Sequence, residues 1–353
     1  MRCGRFARWL RGKAHGCARL IMDASTEPAS NISTKKRSTL WLLVRLFMGL
    51  GITAFLIWQA DLDQFLGAIT AIDPFWLAMA FVVQIIGKFV WAWRWSVLLD
   101  IFKIKSSAWR LVKGVYVGVF FSNFLPTNVG GDLYRAFWIL DDKQLYTKSI
   151  FIVFMERFIG VVALAYLALL PFLLLLRQGF GLWDGQAFAL LVLVALCLVI
   201  FALHPAVFDF VDRRVGNRTS LFKGMRRKVS EALHVWHGAG MKKWRVFLLS
   251  LGLHLVGVAF FYCLGQSMGL PMAARHYLVI VPLTVVVMVL PISFNGLGLR
   301  EGTLVLLTSA LGTGVSPAEA IALGLLSSVV SLLVSLLGML FYVSEERREV
   351  YVT

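Results

Sequence analysis

The stretch FFSNFLPTNVGGDLYRAFWIL, residues 120–140, decides how this chain folds. Its apolar run is interrupted by Pro126 and by the pair Gly130 and Gly131, and it then carries Arg135. Proline and glycine both disfavour a continuous helix. A helix that crosses a bilayer needs about 20 predominantly apolar residues in succession. We therefore expect a broken helix here rather than an ordinary membrane span.

The composition around this stretch excludes a water-soluble globular protein. Of 353 residues, 59% are apolar and only 15% are charged, against about 25% charged in soluble domains. The net charge of +16 is concentrated in a few loops, so it indicates membrane topology rather than a nucleic-acid partner. The four cysteines lack zinc-finger or CxxC spacing, and we expect neither a metal site nor a cofactor.

Hydropathy predicts an all-α integral membrane protein with eight hydrophobic segments. Six are long enough for full spans: 39–58, 75–98, 149–176, 187–203, 244–267 and 318–342. Two are interrupted by proline and glycine, namely 111–140 and 276–312.

The loops between these segments differ in charge. The loop after the first span contains three aspartates and no Lys or Arg, whereas loop 204–243 contains nine basic and three acidic residues. Because basic loops face the cytoplasm, 204–243 is predicted to be cytoplasmic. The loop after the second span is also basic, with Lys103, Lys105, Arg110 and Lys113 against Asp100, and is predicted to be cytoplasmic too. Two cytoplasmic loops are joined by an even number of crossings, and the spans 149–176 and 187–203 already supply two, so 111–140 is predicted to be a re-entrant hairpin. By the same count, 276–312 enters from the outside and returns. In the alternative, both cross fully, which gives eight spans and places 204–243 outside.

The termini are expected in the cytoplasm. Residues 1–38 form a basic tail without the apolar core of a signal peptide; an interfacial helix and a translation start at Met22 are alternatives for this tail. The membrane domain is predicted to cover 39–343, and residues 344–353 a second cytoplasmic tail.

The two broken segments resemble each other. Four positions recur 165 residues apart: Leu125 and Leu290, Pro126 and Pro291, Gly131 and Gly296, Arg135 and Arg300. The hairpins would approach from opposite sides, so we predict an inverted repeat with halves at about 75–176 and 244–342, a plan that places the ligand near the midplane. A chance match of four positions is the alternative.

Each break has the chemistry of an anion site. A helix that starts there presents unpaired N–H groups, which favour phosphate or carboxylate, and the planar arginine fork can bind two phosphate oxygens. The predicted binding residues are Asn128, Gly130, Gly131, Asp132, Arg135, Ser293, Asn295, Gly296, Gly298, Arg300 and Glu301. Alternatively, the glycines only let helices pack closely.

Other charges lie at membrane depth, where ionisable side chains are costly unless paired. Lys88, Glu156 and Arg157 are predicted to support the site. Glu156, together with Asp132 and Glu301, is a conceivable proton carrier. Arg94 lies between two tryptophans, and we expect it to be an interfacial anchor.

Three motifs carry a family resemblance: residues 120–140, MERFIG at 155–160 and VLPISFNGLGLREG at 289–302. Over about residues 40–342 the chain resembles the lysylphosphatidylglycerol synthase transmembrane family, also called flippase-like or UPF0104. In two-part relatives this region is fused to a soluble synthase domain and is thought to move the charged lipid between leaflets. We do not expect this synthase domain within the 353 residues, so the resemblance does not imply synthase activity.

The resemblance and the breaks together predict a flippase, not an enzyme, of a bacterial-type inner membrane. Its partner would be an anionic phospholipid or a polyprenyl phosphate, with an enzyme of lipid biosynthesis as a further partner. One alternative is a membrane-bound transferase for lipid-linked substrates, for which Asp141 and Asp142 offer a weak start as a metal site. Another is an accessory partner of such an enzyme.

Overall fold

The computed structural model describes residues 72–124, 146–177, 235–236, 238–289 and 296–352, with isolated residues in 51–70 and 131–138. All belong to one compact unit, residues 45–353. This part of the chain contains α-helices and no strand, which confirms the all-helical prediction. The helices are α1 (Pro74–Ile101), α2 (Ala108–Phe124), α3 (Tyr146–Arg177), α4 (Met241–Ser267), α5 (Ala274–Val289), α6 (Leu299–Ala310) and α7 (Pro317–Val352).

Four of these helices lie where full spans are predicted, namely α1, α3, α4 and α7. Three described helices, Pro74–Ile101, Met241–Ser267 and Pro317–Ser344, are long and apolar enough to cross a membrane. The start of α1 follows directly from its sequence: Asp73 accepts a hydrogen bond from the Phe75 amide at 2.8 Å, and proline occupies the first helical position. The predicted C-terminal tail continues α7 as far as Val352.

Several predicted segments lie wholly or largely outside the described residues. They are the tail 1–38, the spans 39–58 and 187–203, and the loop 204–243.

The second broken segment is interrupted where the sequence predicts. Helix α5 ends at Val289, residues 296–298 form a turn, and α6 begins at Leu299. Gly296 and Gly298 both have φ of 78°, a left-handed conformation that glycine adopts without strain. In the first segment α2 ends at Phe124, residues 125–130 lie outside the description, and helical backbone follows from Gly131. Whether these segments re-enter or cross stays a prediction, as does the inverted repeat.

Helices α1 and α4 pack side by side in opposite directions along their whole length. Contacts at both ends and near the middle define this pairing: Asp73 N–H to Ser267 O at 2.7 Å, Arg94 to Ser250 at 3.1 Å, and Lys242 to Asp100 at 2.5 Å. Helix α7 packs against α2, with the Trp109 and Phe341 rings 5.7 Å apart. These pairings bring the broken segments against α1 and α7.

Candidate functional site

Glu156, on α3, is the centre of a buried network of charges. Its carboxylate accepts hydrogen bonds from the indole N–H of Trp91, from Arg94 Nη2 at 2.6 Å and from both Nη atoms of Arg135. Glu156 and Arg135 are each only 2% exposed. The predicted anion-binding fork of Arg135 is therefore occupied by a carboxylate of the protein itself.

Aromatic rings hold the Arg135 guanidinium in place. Its Cζ lies 4.4 Å from the centre of the Trp95 ring and 5.0 Å from that of Trp91, distances at which an arginine is attracted to an indole face. Helix α1 supplies both rings. Arg94, from the same helix, donates to Ser250 as well as to Glu156. It is 5% exposed, so the expectation that it anchors the interface is wrong.

Asp132 and Arg157 extend the network. Arg157 Nε donates to Asp132 Oδ2 at 2.7 Å, and Arg135 Nη2 lies 3.5 Å from Asp132 Oδ1. We call this set the arginine cluster: Arg94, Asp132, Arg135, Glu156 and Arg157. Three guanidinium groups against two carboxylates give it one excess positive charge, and the Arg157 side chain is 56% exposed. The cluster contains four of the predicted site residues, together with Arg94. The sequence around Arg94 gives no sign that it pairs with Glu156.

Gly131 contributes to packing between helices. A methyl group on its Cα would overlap the Ser122 hydroxyl and the Gly118 carbonyl oxygen, both on α2. The backbones therefore approach as closely as glycine permits, as the packing interpretation of these residues requires.

The second break places Glu301 deep in the protein, with 0% exposure. Its Oε2 accepts the Gly298 amide N–H at 2.6 Å, which caps the start of α6. Within the described residues Oε1 has no hydrogen-bond partner. A methyl group at Gly324 of α7 would lie 2.9 Å from Glu301 Cγ, so this glycine makes room for the carboxylate. One of the amides predicted to bind an anion is thus already bonded to Glu301.

Arg300 reaches α7 from the second break. Its Nη1 donates to the hydroxyls of Ser327, at 3.1 Å, and Ser328. Half-buried Arg300 is therefore oriented by neutral oxygen acceptors on the neighbouring helix.

Two further hydroxyls continue the polar face of α7. Ser331 accepts from Gln84 Nε2 of α1 at 3.2 Å, and Ser335 accepts from Asn123 Nδ2 of α2 at 2.9 Å. We call Ser327, Ser328, Ser331 and Ser335 the serine stripe. Ser327, Ser331 and Ser335 are four residues apart and share one face of α7, and Ser328, next to Ser327, lies three residues before Ser331 at the edge of that face. The stripe extends about 12 Å at 1.5 Å per residue. It is bonded to the helix after the second break, to α1 and to the helix before the first break.

Lys88 lies next to this stripe. Its Nζ donates to Gln84 Oε1 at 3.3 Å and lies 5.8 Å from the centre of the Trp91 ring. The remaining predicted site residues, Asn128, Gly130, Ser293 and Asn295, lie outside the described residues.

Comparison with known proteins gives the family. The Lysylphosphatidylglycerol synthase TM region family matches residues 42–338. The chain is 23% identical to a UPF0104 membrane protein of Methanothermobacter thermautotrophicus over 330 residues, which cover 85% of this chain and 93% of that protein. It is 24% identical to a UPF0104 membrane protein of Pyrococcus horikoshii over 174 residues, 48% of this chain and 50% of that protein. The predicted resemblance is confirmed, and the chain belongs to the lysylphosphatidylglycerol synthase TM region family of membrane proteins.

Proposed function

We propose that this protein moves a lipid with an anionic head group between the two leaflets of the membrane. The serine stripe carries the proposal. Four hydroxyls follow one face of an apolar helix that is long enough to cross a bilayer, and both broken segments are bonded to them. Polar groups in hydrocarbon are costly unless they are paired, and a face of this kind provides partners for a head group on its way across.

Three of the four serines of the stripe donate their hydroxyl protons within α7. Ser327 and Ser328 donate to the Gly324 carbonyl at 2.7 and 3.1 Å, and Ser335 donates to Leu332 O at 2.7 Å. The serine oxygens then accept hydrogen bonds from side chains of other helices. A head group could take over those side-chain donors one after another while the acyl chains stay in the surrounding lipid.

The charge of the donors favours an anion. The groups along the stripe are the guanidinium of Arg300, the amides of Gln84 and Asn123, and the Lys88 ammonium next to Gln84. Phosphate oxygens accept from all of them, and a charged donor makes such bonds stronger. Glycerophospholipids and polyprenyl phosphates both carry this group.

The arginine cluster would take part through exchange of partners. Arg135 is bound to Glu156, so a head group can bind Arg135 only if it displaces that carboxylate. Such an exchange would couple the approach of lipid to a movement of α3. The first break would then take part through the ion pair of Arg135 with Glu156, and the second through the hydrogen bonds of Arg300 to the serine stripe. In a bacterial-type inner membrane, with both termini in the cytoplasm, lipid would pass between the cytoplasmic and outer leaflets.

Reconstitution into vesicles tests the proposal. Purified protein is placed in phosphatidylcholine vesicles that contain a trace of fluorescent phosphatidylglycerol, and the label in the outer leaflet is bleached by an impermeant reductant. Empty vesicles should lose half of their fluorescence, because only the label in the outer leaflet is accessible. Vesicles that contain the protein should lose more than half, because label from the inner leaflet is moved outward and bleached. A fluorescent polyprenyl phosphate and fluorescent phosphatidylcholine are run in parallel.

The stripe has a matched control on its own helix. The double substitution Ser327→Ala with Ser328→Ala should slow the bleaching of inner-leaflet label, whereas Ser344→Ala should not, because Ser344 is exposed and bonds only to Phe341 O within the described contacts. If wild-type protein leaves all three lipids in place, with and without a proton gradient, the proposal fails. Product formation from a lipid-linked substrate would instead support a transferase.

A further inference from the structure

Lys88 occupies the middle of α1, with 14 residues before it in the helix and 13 after it. Helix α1 is one of the helices long and apolar enough to cross a membrane. A lysine ammonium at the centre of such a span is costly, and in membrane proteins it marks an ion or substrate site by default. Its surroundings therefore need an explanation.

The arginines near α1 have acidic partners, whereas Lys88 has none among the residues that the structure describes. Arg94 and Arg135 pair with Glu156, and Arg157 pairs with Asp132. Within the described residues the Lys88 ammonium has one hydrogen bond, to the neutral amide oxygen of Gln84 at 3.3 Å. An ammonium carries three N–H donors, so most of its capacity is unused and its charge is not balanced by a carboxylate.

The position of Lys88 connects the two polar regions described above. Gln84, Lys88 and Trp91 follow one another at helical spacing on one face of α1. Gln84 donates to Ser331 of the stripe, and Trp91 donates to Glu156 of the arginine cluster. Lys88 Nζ and Arg135 Cζ lie 5.8 and 5.0 Å from the centre of the same Trp91 ring. An anion at Lys88 would thus be between the stripe and the cluster.

We propose that Lys88, Gln84 and Ser331 form a binding site for the phosphate group of a lipid halfway across the membrane. The inference rests on the proposed function and names the group that holds the head group at the midplane. The ammonium supplies the positive charge, and the amide N–H of Gln84 can turn from Ser331 to a phosphate oxygen. A phosphate on Lys88 would balance the charge that no described side chain balances, and the lipid's chains would remain outside the helices.

Substitution of Lys88 tests this site in the vesicle assay with fluorescent phosphatidylglycerol. Lys88→Met keeps a long, unbranched side chain and removes the charge; it should slow transfer by about tenfold, the effect expected from losing one hydrogen bond to a charged group. Lys88→Arg keeps the charge and should retain much of the rate. Lys242→Met is the matched control, since Lys242 forms a partly exposed ion pair with Asp100 at the end of the same helix pair, and it should transfer lipid like wild type.

Thermal stability separates a binding lysine from a structural one. Lys88 is partly buried, and removing a charge that no described carboxylate balances should leave the melting temperature of Lys88→Met unchanged or raise it. In uncharged detergent, added phosphatidylglycerol should raise the melting temperature of wild type but not of Lys88→Met, while phosphatidylcholine should affect neither. Inorganic phosphate should also have no effect; stabilisation by it through Lys88 would mean a water-soluble ligand and overturn the lipid assignment.

The two proposals fail in different ways. If wild type transfers lipid and Lys88→Met transfers it equally fast, the site at Lys88 is overturned and transport stands. If no lipid is transferred, yet phosphatidylglycerol stabilises wild type and not Lys88→Met, the transport proposal fails and the binding site stands. A lower melting temperature of Lys88→Met with equal stabilisation by phosphatidylglycerol would make Lys88 a structural residue and overturn the site.

Discussion

The guanidinium of Arg135 donates to both carboxylate oxygens of Glu156, and each side chain is 2% exposed. Arg135 thus has the bidentate type of contact that an arginine makes with phosphate, but its partner belongs to the protein. Arg94 donates to the same carboxylate. Under the proposed function, Glu156 takes the place that a head group would take at Arg135, and a lipid would have to compete with this carboxylate for the arginine.

We expect Glu156→Gln to destabilise the protein strongly. The substitution leaves Arg94 and Arg135 buried without their carboxylate, and breaking a buried ion pair costs about 3–5 kcal/mol. The measurement is the melting temperature of purified protein in detergent. Asp100→Asn is the control, because it breaks the exposed pair with Lys242 and such pairs contribute little. Equal melting temperatures for the two variants would contradict a stabilising role for Glu156.

The interruption of the second broken segment and several spans could be predicted because their signals are local, whereas the first break, at 125–130, lies outside the described residues. Proline and glycine interrupt 276–312, and the predicted span 75–98 is helix Pro74–Ile101 in the structure. The partners of the charges could not be predicted, because they depend on how helices dock. Arg94 and Glu156 are 62 positions apart, and the tryptophans beside Arg94 favoured an interfacial position that burial rules out.

The serine stripe was missed for a different reason. The spacing of Ser327, Ser331 and Ser335 is visible in the sequence, but serine is common where membrane helices pack and hydroxyls often bond to their own helix. The meaning of the stripe comes from its partners, Gln84 and Asn123, which lie more than 200 positions away. Hydrogen bonds from side chains of two other helices distinguish Ser331 and Ser335 from hydroxyls that bond only within their own helix.

We expect Arg300→Ala to slow lipid transfer by about tenfold or more while lowering the melting temperature less than Glu156→Gln does. The two hydroxyls of α7 to which Arg300 donates are uncharged, and they can bond within their own helix when the arginine is removed. Arg300→Lys keeps the charge without the planar fork and should have intermediate rates. The vesicle assay measures transfer and a thermal melt measures stability. If Arg300→Ala transferred lipid at the wild-type rate, Arg300 would not be part of the lipid path.

Gly338→Ala should weaken the contact between α7 and α2. A methyl group there would overlap the Tyr116 carbonyl oxygen and lie 2.9 Å from Phe120 Cβ, so the helices would have to separate. Overpacking of this kind costs about 1–3 kcal/mol, and the melting temperature should fall. Gly257→Ala on α4 is the matched control, because a methyl group at Gly257 meets no atom within 4 Å. A fall of equal size in both variants would show a general effect of losing a helical glycine.

The topology can be tested with single cysteines in a variant that lacks the native four. We choose Asp63→Cys, Lys105→Cys and Lys223→Cys, one in each of three predicted loops. If 111–140 is re-entrant, Lys105→Cys and Lys223→Cys should both be shielded from an impermeant maleimide in intact cells, and Asp63→Cys should react. All three should react once the cells are permeabilised.

The alternative with eight full spans gives a different pattern. A complete crossing by 111–140 moves loop 204–243 to the outside, so Lys223→Cys would react in intact cells while Lys105→Cys would not. That result would remove the opposite approach of the two breaks, on which the inverted repeat depends. Both broken segments are bonded to α7 in either topology, so the serine stripe itself would remain. It would then have to be explained by helix packing, or by a lipid path that does not depend on an inverted repeat.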